Sequence, residues 1–340
     1  MTLWERVKFD YPDVPTMITD EERKYLYWLG SDYWKGTGHV IEIGPWLGGS
    51  TICLASGMKI NPQRSNLRLH VFDNFLWRAF MGQRKALPIN EGDSFQSYFE
   101  KNVEDYLDFI TVHRQTLPSE STPRDQLDAN ISLKEGEKVP ILHWKTNEPV
   151  EILFVDGAKS WSGFQFLLAQ FCKHMEPGKS LIVCQDYKYW GTYWIALIIE
   201  YFIGHFKLEH NLRNNTVSFR LTSVLSLNDI DRLGSVENFD LETGLALLEN
   251  ASQRLLSLED RLGALILQSC KVRFCFHKQE RSAALEMFRK LESEWPHRLS
   301  GASIDRMRQW LEEETKIPLR PTRSWILGCI IRKVGRYFPI

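Results

Sequence analysis

The stretch GHVIEIGPWLGGSTICLA, residues 38–55, gathers a carboxylate, three glycines and two hydroxyls within the ten residues from Glu42 to Thr51. His39 to Ile43 is a short apolar run that reads as a buried strand, with Gly44, Gly48 and Gly49 as a turn after it. Ser50 and Thr51 then open an apolar helical pattern. A strand, a glycine turn and a helix start present bare backbone N–H groups to a ligand. Glu42, at the strand's end, can accept from an ammonium or a hydroxyl. A dinucleotide fingerprint would need a second glycine where this chain has Trp46, so a pyrophosphate would meet an indole.

Three more segments end in residues with chemistry to offer. LRLHVF, 67–72, is followed by Asp73, thirty-one residues after Glu42. An acid there can accept from both hydroxyls of a ribose, or simply cap a turn. EILFVD, 151–156, continues as GAKSW, placing Lys159 three residues after Asp156. SLIVCQD, 180–186, ends in Gln185 and Asp186, followed by Tyr187. A lysine at such a junction is either a solvated charge or, beside a cation or in an apolar pocket, a base of lowered pKa. His113, His143 and His174 are alternative bases without a spacing to recommend them.

The elements that position these residues follow from periodicity. Thr19 is a cap for a helix over 18–34, and DFITVH, 108–113, is a third strand. Residues 117–148 read as an irregular insertion or lid. Phe164, Leu167, Leu168, Phe171 and Met175 recur at helical spacing, and 191–204 is a strongly apolar helix. Residues 206–221 read as two strands around the turn dipeptide Asn214-Asn215. Strands alternating with helices and closing in a hairpin imply a mostly parallel sheet with an antiparallel edge.

Over residues 18–221 the chain resembles the class I S-adenosylmethionine (SAM)-dependent methyltransferases. E-x-G-x-x-x-G-x-S is similar to their first motif. D-x-x-K is similar to the catechol and caffeoyl-CoA O-methyltransferases, and HVFDNFLW, GDSF and QDYKYWGTYWIALIIEY point to the macrocin-type branch. The resemblance implies an α/β fold: a Rossmann-like seven-stranded sheet with an antiparallel terminal hairpin, followed by a C-terminal all-helical domain. It implies SAM as cofactor, held by Glu42, Gly44, Gly48, Ser50, Thr51, Asp73 and Asp156, with Asp73 on the ribose. It implies Asp156 and Lys159 as catalytic residues, the lysine deprotonating an acceptor hydroxyl. In these relatives the fifth strand supplies an Asp-Asn or Asp-Asp pair; here it is Gln185-Asp186. Asp156, Gln185 and Asp186 would give magnesium two carboxylates and one amide, an arrangement compatible with weak, substrate-dependent or abandoned metal binding.

The expected activity is O-methylation of a small-molecule, sugar or glycan hydroxyl. A methyltransferase-like scaffold without turnover and a nucleotide-dependent oxidoreductase are the rival readings. Composition narrows the partners. A net charge of −1 with 25% charged residues leaves no global field to attract nucleic acid. The six cysteines include no C-x-x-C pair, which suits a reducing cytoplasm. The start MTLWERVKFDYPD reads as too charged for a signal peptide, and the longest apolar stretch, around Tyr193 to Phe206, is interrupted by Glu200 and falls short of a membrane span. The expected division is a methyltransferase domain over 1–221 and a helical domain over 222–340, the latter a cap or a homo-oligomer contact. The tail 322–340 pairs Trp325, Ile326, Ile330 and Ile331 with Arg332, Lys333 and Arg336, suiting burial against protein or peripheral contact with an anionic membrane.

Overall fold

The computed structural model describes residues 2–63, 66–118, 131–134, 137–294 and 302–319. The tail 322–340 lies outside the described residues, and so does the expectation placed on it. Chain contacts divide the protein into two units, one of Met1–Asp186 with Phe202–Ser235 and one of Tyr187–Tyr201 with Val236–Ile340.

The first unit opens with α1 (Asp20–Trp28). Its start is a capping box: Thr19 Oγ1 accepts from Glu22 N–H, while the Glu22 carboxylate accepts from Thr19 N–H at 2.8 Å. β1 (His39–Ile43) is buried along its whole length and runs into α2 (Gly49–Ile60). β2 (Leu69–Asp73), the short α3 (Ala79–Gly82), α4 (Gln96–Asn102) and β3 (Ile110–Arg114) follow. The expected insertion carries a two-stranded antiparallel hairpin, β4 (Ile131–Lys134) with β5 (Glu137–Val139). Val139, Ile141, Leu142 and Trp144 beyond it are buried. This part is core rather than irregular cover, because a Val-x-Ile-Leu-x-Trp run loses too much by staying in water.

β6 (Val150–Val155) leads to α5 (Trp161–Phe171), and β7 (Leu181–Cys184) to α6 (Tyr193–Tyr201). β8 (Phe206–Asn211) and β9 (Val217–Leu221) form the hairpin around Asn214 and Asn215. The seven-stranded sheet has the order β3-β2-β1-β6-β7-β9-β8, which counted within the sheet alone is 3-2-1-4-5-7-6. β1 pairs in parallel with both β2 and β6, and only β9 runs antiparallel to its neighbours. This is the Rossmann-like seven-stranded sheet with an antiparallel terminal hairpin expected from the sequence. α7 (Leu227–Arg232) also packs here: Gln165 Nε2 donates to Ile230 O and Trp161 Nε1 to Gly234 O, both at 2.9 Å. Residues 222–235 therefore sit with the sheet, beyond the boundary read from the sequence.

On one sheet face three histidines from adjacent strands bond ring to ring. His113 Nε2 lies 2.9 Å from His70 Nδ1, His70 Nε2 lies 3.2 Å from His39 Nδ1, and His39 Nε2 lies 2.6 Å from a Glu148 carboxylate oxygen. Burial, then the neighbouring histidines and Arg68, push His70 down to about 3, so the ring is neutral.

The second unit is helical: α6, α8 (Leu241–Ser257), α9 (Arg261–His277), α10 (Arg281–Glu294) and α11 (Ala302–Thr315). Its interior carries paired charges. Fully buried Lys188 bonds Asp260 at 2.8 Å, Arg254 bonds Glu200 at 2.8 Å, and Arg308 bonds buried Glu292. Among the described residues no helix is long and apolar enough to cross a membrane.

Candidate functional site

The strand order reverses at β1, which has β2 on one side and β6 on the other. In a doubly wound sheet such a reversal opens a crevice beyond the carboxyl ends of the strands. Glu42, Asp73, Asp156, Gln185 and Asp186 all lie at those ends. The structure brings three of these acids close enough that the charges of Asp156 and Asp73 act on Glu42 and that of Asp156 on Asp73.

Glu42 has no exposed surface, and both its oxygens are taken by α2: Ser50 Oγ donates to one and Thr51 Oγ1 to the other, the latter at 2.6 Å. Burial pushes Glu42 up to about 7, against those hydroxyls and with help from the charges of Asp156 and Asp73. Ser50 and Thr51, expected on the cofactor, thus turn their side chains inward and tie α2 to β1. Their backbone N–H groups remain in the first turn of the helix.

The glycines also answer to the protein. Gly44 has φ +85°, and a Cβ there would stand 2.7 Å from the Gly157 backbone, so β1 and β6 ends meet glycine on glycine. At Gly48, with φ +94°, a Cβ would meet Val103 Cγ1 at 2.7 Å. Trp46, between them, takes the left-handed φ of +46° and is buried, and its Nε1–H has no hydrogen-bond partner among the described residues. The sequence reading used Trp46 only to exclude a pyrophosphate. Its buried, unanswered N–H makes it a donor awaiting an acceptor.

Asp73 Oδ1 accepts from Phe75 N–H at 2.6 Å, the turn-capping arrangement open to an aspartate here. Burial raises Asp73 to about 6, opposed by that N–H and reinforced by Asp156. A carboxylate has more acceptor sites than this turn uses. Asp73 can therefore cap its turn and accept a ligand hydroxyl as well.

At the next pair of strand ends a cation sits between two acids. Lys159 Nζ donates to Asp156 Oδ1 at 3.1 Å and to Asp186 Oδ2 at 2.8 Å. Asn215 Nδ2 donates to the other Asp186 oxygen at 3.2 Å, and Asp186 itself is held at φ +61°. Burial works against the ammonium, but the two carboxylates outweigh it and hold Lys159 well above its ordinary pKa. Lys159 is thus ion-paired with both carboxylates. Asp156 is raised to about 6 by burial, against the pull of Lys159 and with the push of Asp186. It is ionised at neutral pH yet basic enough to accept a proton. Of the alternative bases, His113 is bonded to His70 and stacked 4.2 Å above Phe72, His174 lies in the turn after α5, and His143 is exposed.

The oxygen set expected for magnesium does not fit as it stands. Asp156 and Asp186 converge on Lys159, and Gln185 Oε1 is a buried acceptor with no hydrogen-bond partner among the described residues. Among the described residues no three His, Cys, Asp or Glu side chains are gathered to hold a metal ion. SAM fares better against the donors present: the Trp46 indole N–H suits a carboxylate or ribose oxygen, and Asp73 suits ribose hydroxyls.

No family profile matches the sequence, and no curated protein matches it. Solved structures similar to it include the O-methyltransferase NovP, at 15% identity and a TM-score of 0.38 over 60% of this chain and 79% of that one. An O-methyltransferase from Bacillus cereus in complex with SAH is similar at 16% identity and a TM-score of 0.36, over 63% and 84% of the two chains. Coclaurine N-methyltransferase bound to N-methylheliamine and SAH follows at 13% and 0.27, over 82% and 70%. Below a TM-score of 0.5 these likenesses add no weight to what the sheet order and the strand-end residues indicate.

Proposed function

We propose that this chain is a SAM-dependent O-methyltransferase of a small-molecule or sugar hydroxyl. The observation that carries this reading is the placement of Glu42, Asp73 and Asp156 at the carboxyl ends of β1, β2 and β6, the strands that flank the sheet's switch point. SAM supplies a methyl group already activated on a sulfonium sulfur. The chain's residues supply position and a proton acceptor. Asp73 takes the ribose hydroxyls, Trp46 N–H takes an oxygen of the cofactor, and Glu42 fixes α2 and its backbone N–H groups against β1. Asp156 receives the acceptor hydroxyl's proton, and the protonated Lys159 steadies the oxygen charge that develops.

Transfer of labelled methyl from SAM to a panel of phenolic and sugar hydroxyls tests this reading. Product formation, lost in Asp156→Asn, is the expected result. Stabilisation by NAD and none by SAM or S-adenosylhomocysteine would instead favour the oxidoreductase.

A further inference from the structure

The ammonium of Lys159 occupies a position that two strand-end carboxylates define. A tight turn puts it there: Lys159 N–H donates to Gly157 O at 3.0 Å, folding the chain back over Asp156. Ser160 follows at once as the cap of α5, accepting from Gly163 N–H at 3.0 Å. Gly157 is itself wedged against Gly44. The turn is thus braced on one side by a helix cap and on the other by β1. From the opposite side Asn215 and the left-handed backbone of Asp186 aim a second carboxylate at the same nitrogen.

A divalent cation bridging Asp156 and Asp186 would need the space the ammonium fills, and it would be repelled by the charge already there. It would also need oxygen ligands beyond the two carboxylates. We infer that Lys159 is the resident cation of this site, standing between Asp156 and Asp186 in place of a divalent ion. An ammonium has three protons. Two bond the carboxylates, and with the side chain 49% exposed the third is free to reach an acceptor oxygen in the crevice. Lys159 then orients the acceptor hydroxyl that Asp156 deprotonates. This second role rests on the methyltransferase reading, but the occupancy of the cation position does not.

The test is titration with Mn2+ alone, followed by electron paramagnetic resonance and without SAM or acceptor, so its outcome is independent of methyl transfer. Lys159→Ala leaves two carboxylates facing a vacated position and should bind Mn2+ at one site at least about tenfold more tightly than the wild type. Lys159→Arg keeps the charge and should bind no better than the wild type. If Lys159→Ala folds poorly, judged by circular dichroism, Lys159→Gln makes the same comparison. Asp186→Asn added to the neutral variant should abolish the acquired binding. Equal Mn2+ affinity in the wild type and the neutral variant, whether measurable or absent, overturns the inference.

Discussion

The ends of β1 and β2 and the ends of β6 and β7 solve the same problem in opposite ways. Both must keep carboxylates at a buried crevice. At β1 and β2 the acids are answered by neutral donors of their own neighbourhood: Ser50 and Thr51 for Glu42, and Phe75 N–H for Asp73. At β6 and β7 the acids are answered by a full charge, Lys159, which is half exposed. Burial raises the pKa values of Glu42, Asp73 and Asp156 alike, and the neutral donors of the first pair tie its acids to the neighbouring chain. A half-exposed cation leaves its pair open to a ligand. In the proposed function the first pair is the cradle and the second the chemistry.

The largest effect should come from the place where the two halves touch. Gly44→Val would drive a Cβ into Gly157 at a φ of +85°. It should cost about 2–5 kcal/mol of stability through backbone strain and overpacking, seen as a lower denaturation midpoint with or without SAM. Normal stability with lost SAM affinity would show that Gly44 faces ligand rather than β6.

Within the second pair, Asp156→Asn should lower turnover by about a hundredfold to ten-thousandfold while SAM affinity changes little. In the wild type, kcat/KM should rise with pH and level off above about 6, because Asp156 must be ionised to accept a proton. A limb near 10 instead would return the base to a lysine.

Smaller effects separate the cradle from the histidine row beneath it. Glu42 binds its proton more tightly folded than unfolded, so its contribution is present below about 4.5 and lost as pH rises to about 7. Glu42→Gln should therefore gain on the wild type across that window, by on the order of 1–3 kcal/mol above it. His70 has the opposite sign. Its folded pKa is about 3, so stability present above its ordinary 6.5 is lost as pH falls towards 3. His70→Gln should flatten that acid limb. Chemical denaturation at several pH values reads both.

Much of this was legible in the chain. His39–Ile43 and the start of α2 at Gly49 fall where the apolar runs and glycines put them, and Asp73, Asp156 and Asp186 reach the strand ends because a strand's length fixes where its last residue lies. Side-chain direction was not legible. Ser50 and Thr51 face Glu42 because a helix's first turn can aim hydroxyls back at the strand before it, a matter of rotamer rather than spacing. Trp46 was hidden because its left-handed backbone is unusual for a bulky residue, and no local pattern announces it. The ion pairing of Lys159 was only half legible, because the sequence shows Asp156 three residues away but not Asp186, twenty-seven residues on, whose charge completes the pair. The passage of Tyr187–Tyr201 into the helical unit, between β7 and β8, rests on contacts with α8 and α9 that lie far ahead in the chain.

The central claim, a SAM site at the β1 and β2 ends, is tested most directly by calorimetric titration of SAM into the wild type and Asp73→Ala. Saturable one-to-one binding is expected in the wild type. A folded Asp73→Ala should bind about tenfold to a hundredfold more weakly, for loss of a charge-assisted contact to the ribose. No binding to the wild type, or unchanged affinity in the variant, would contradict it.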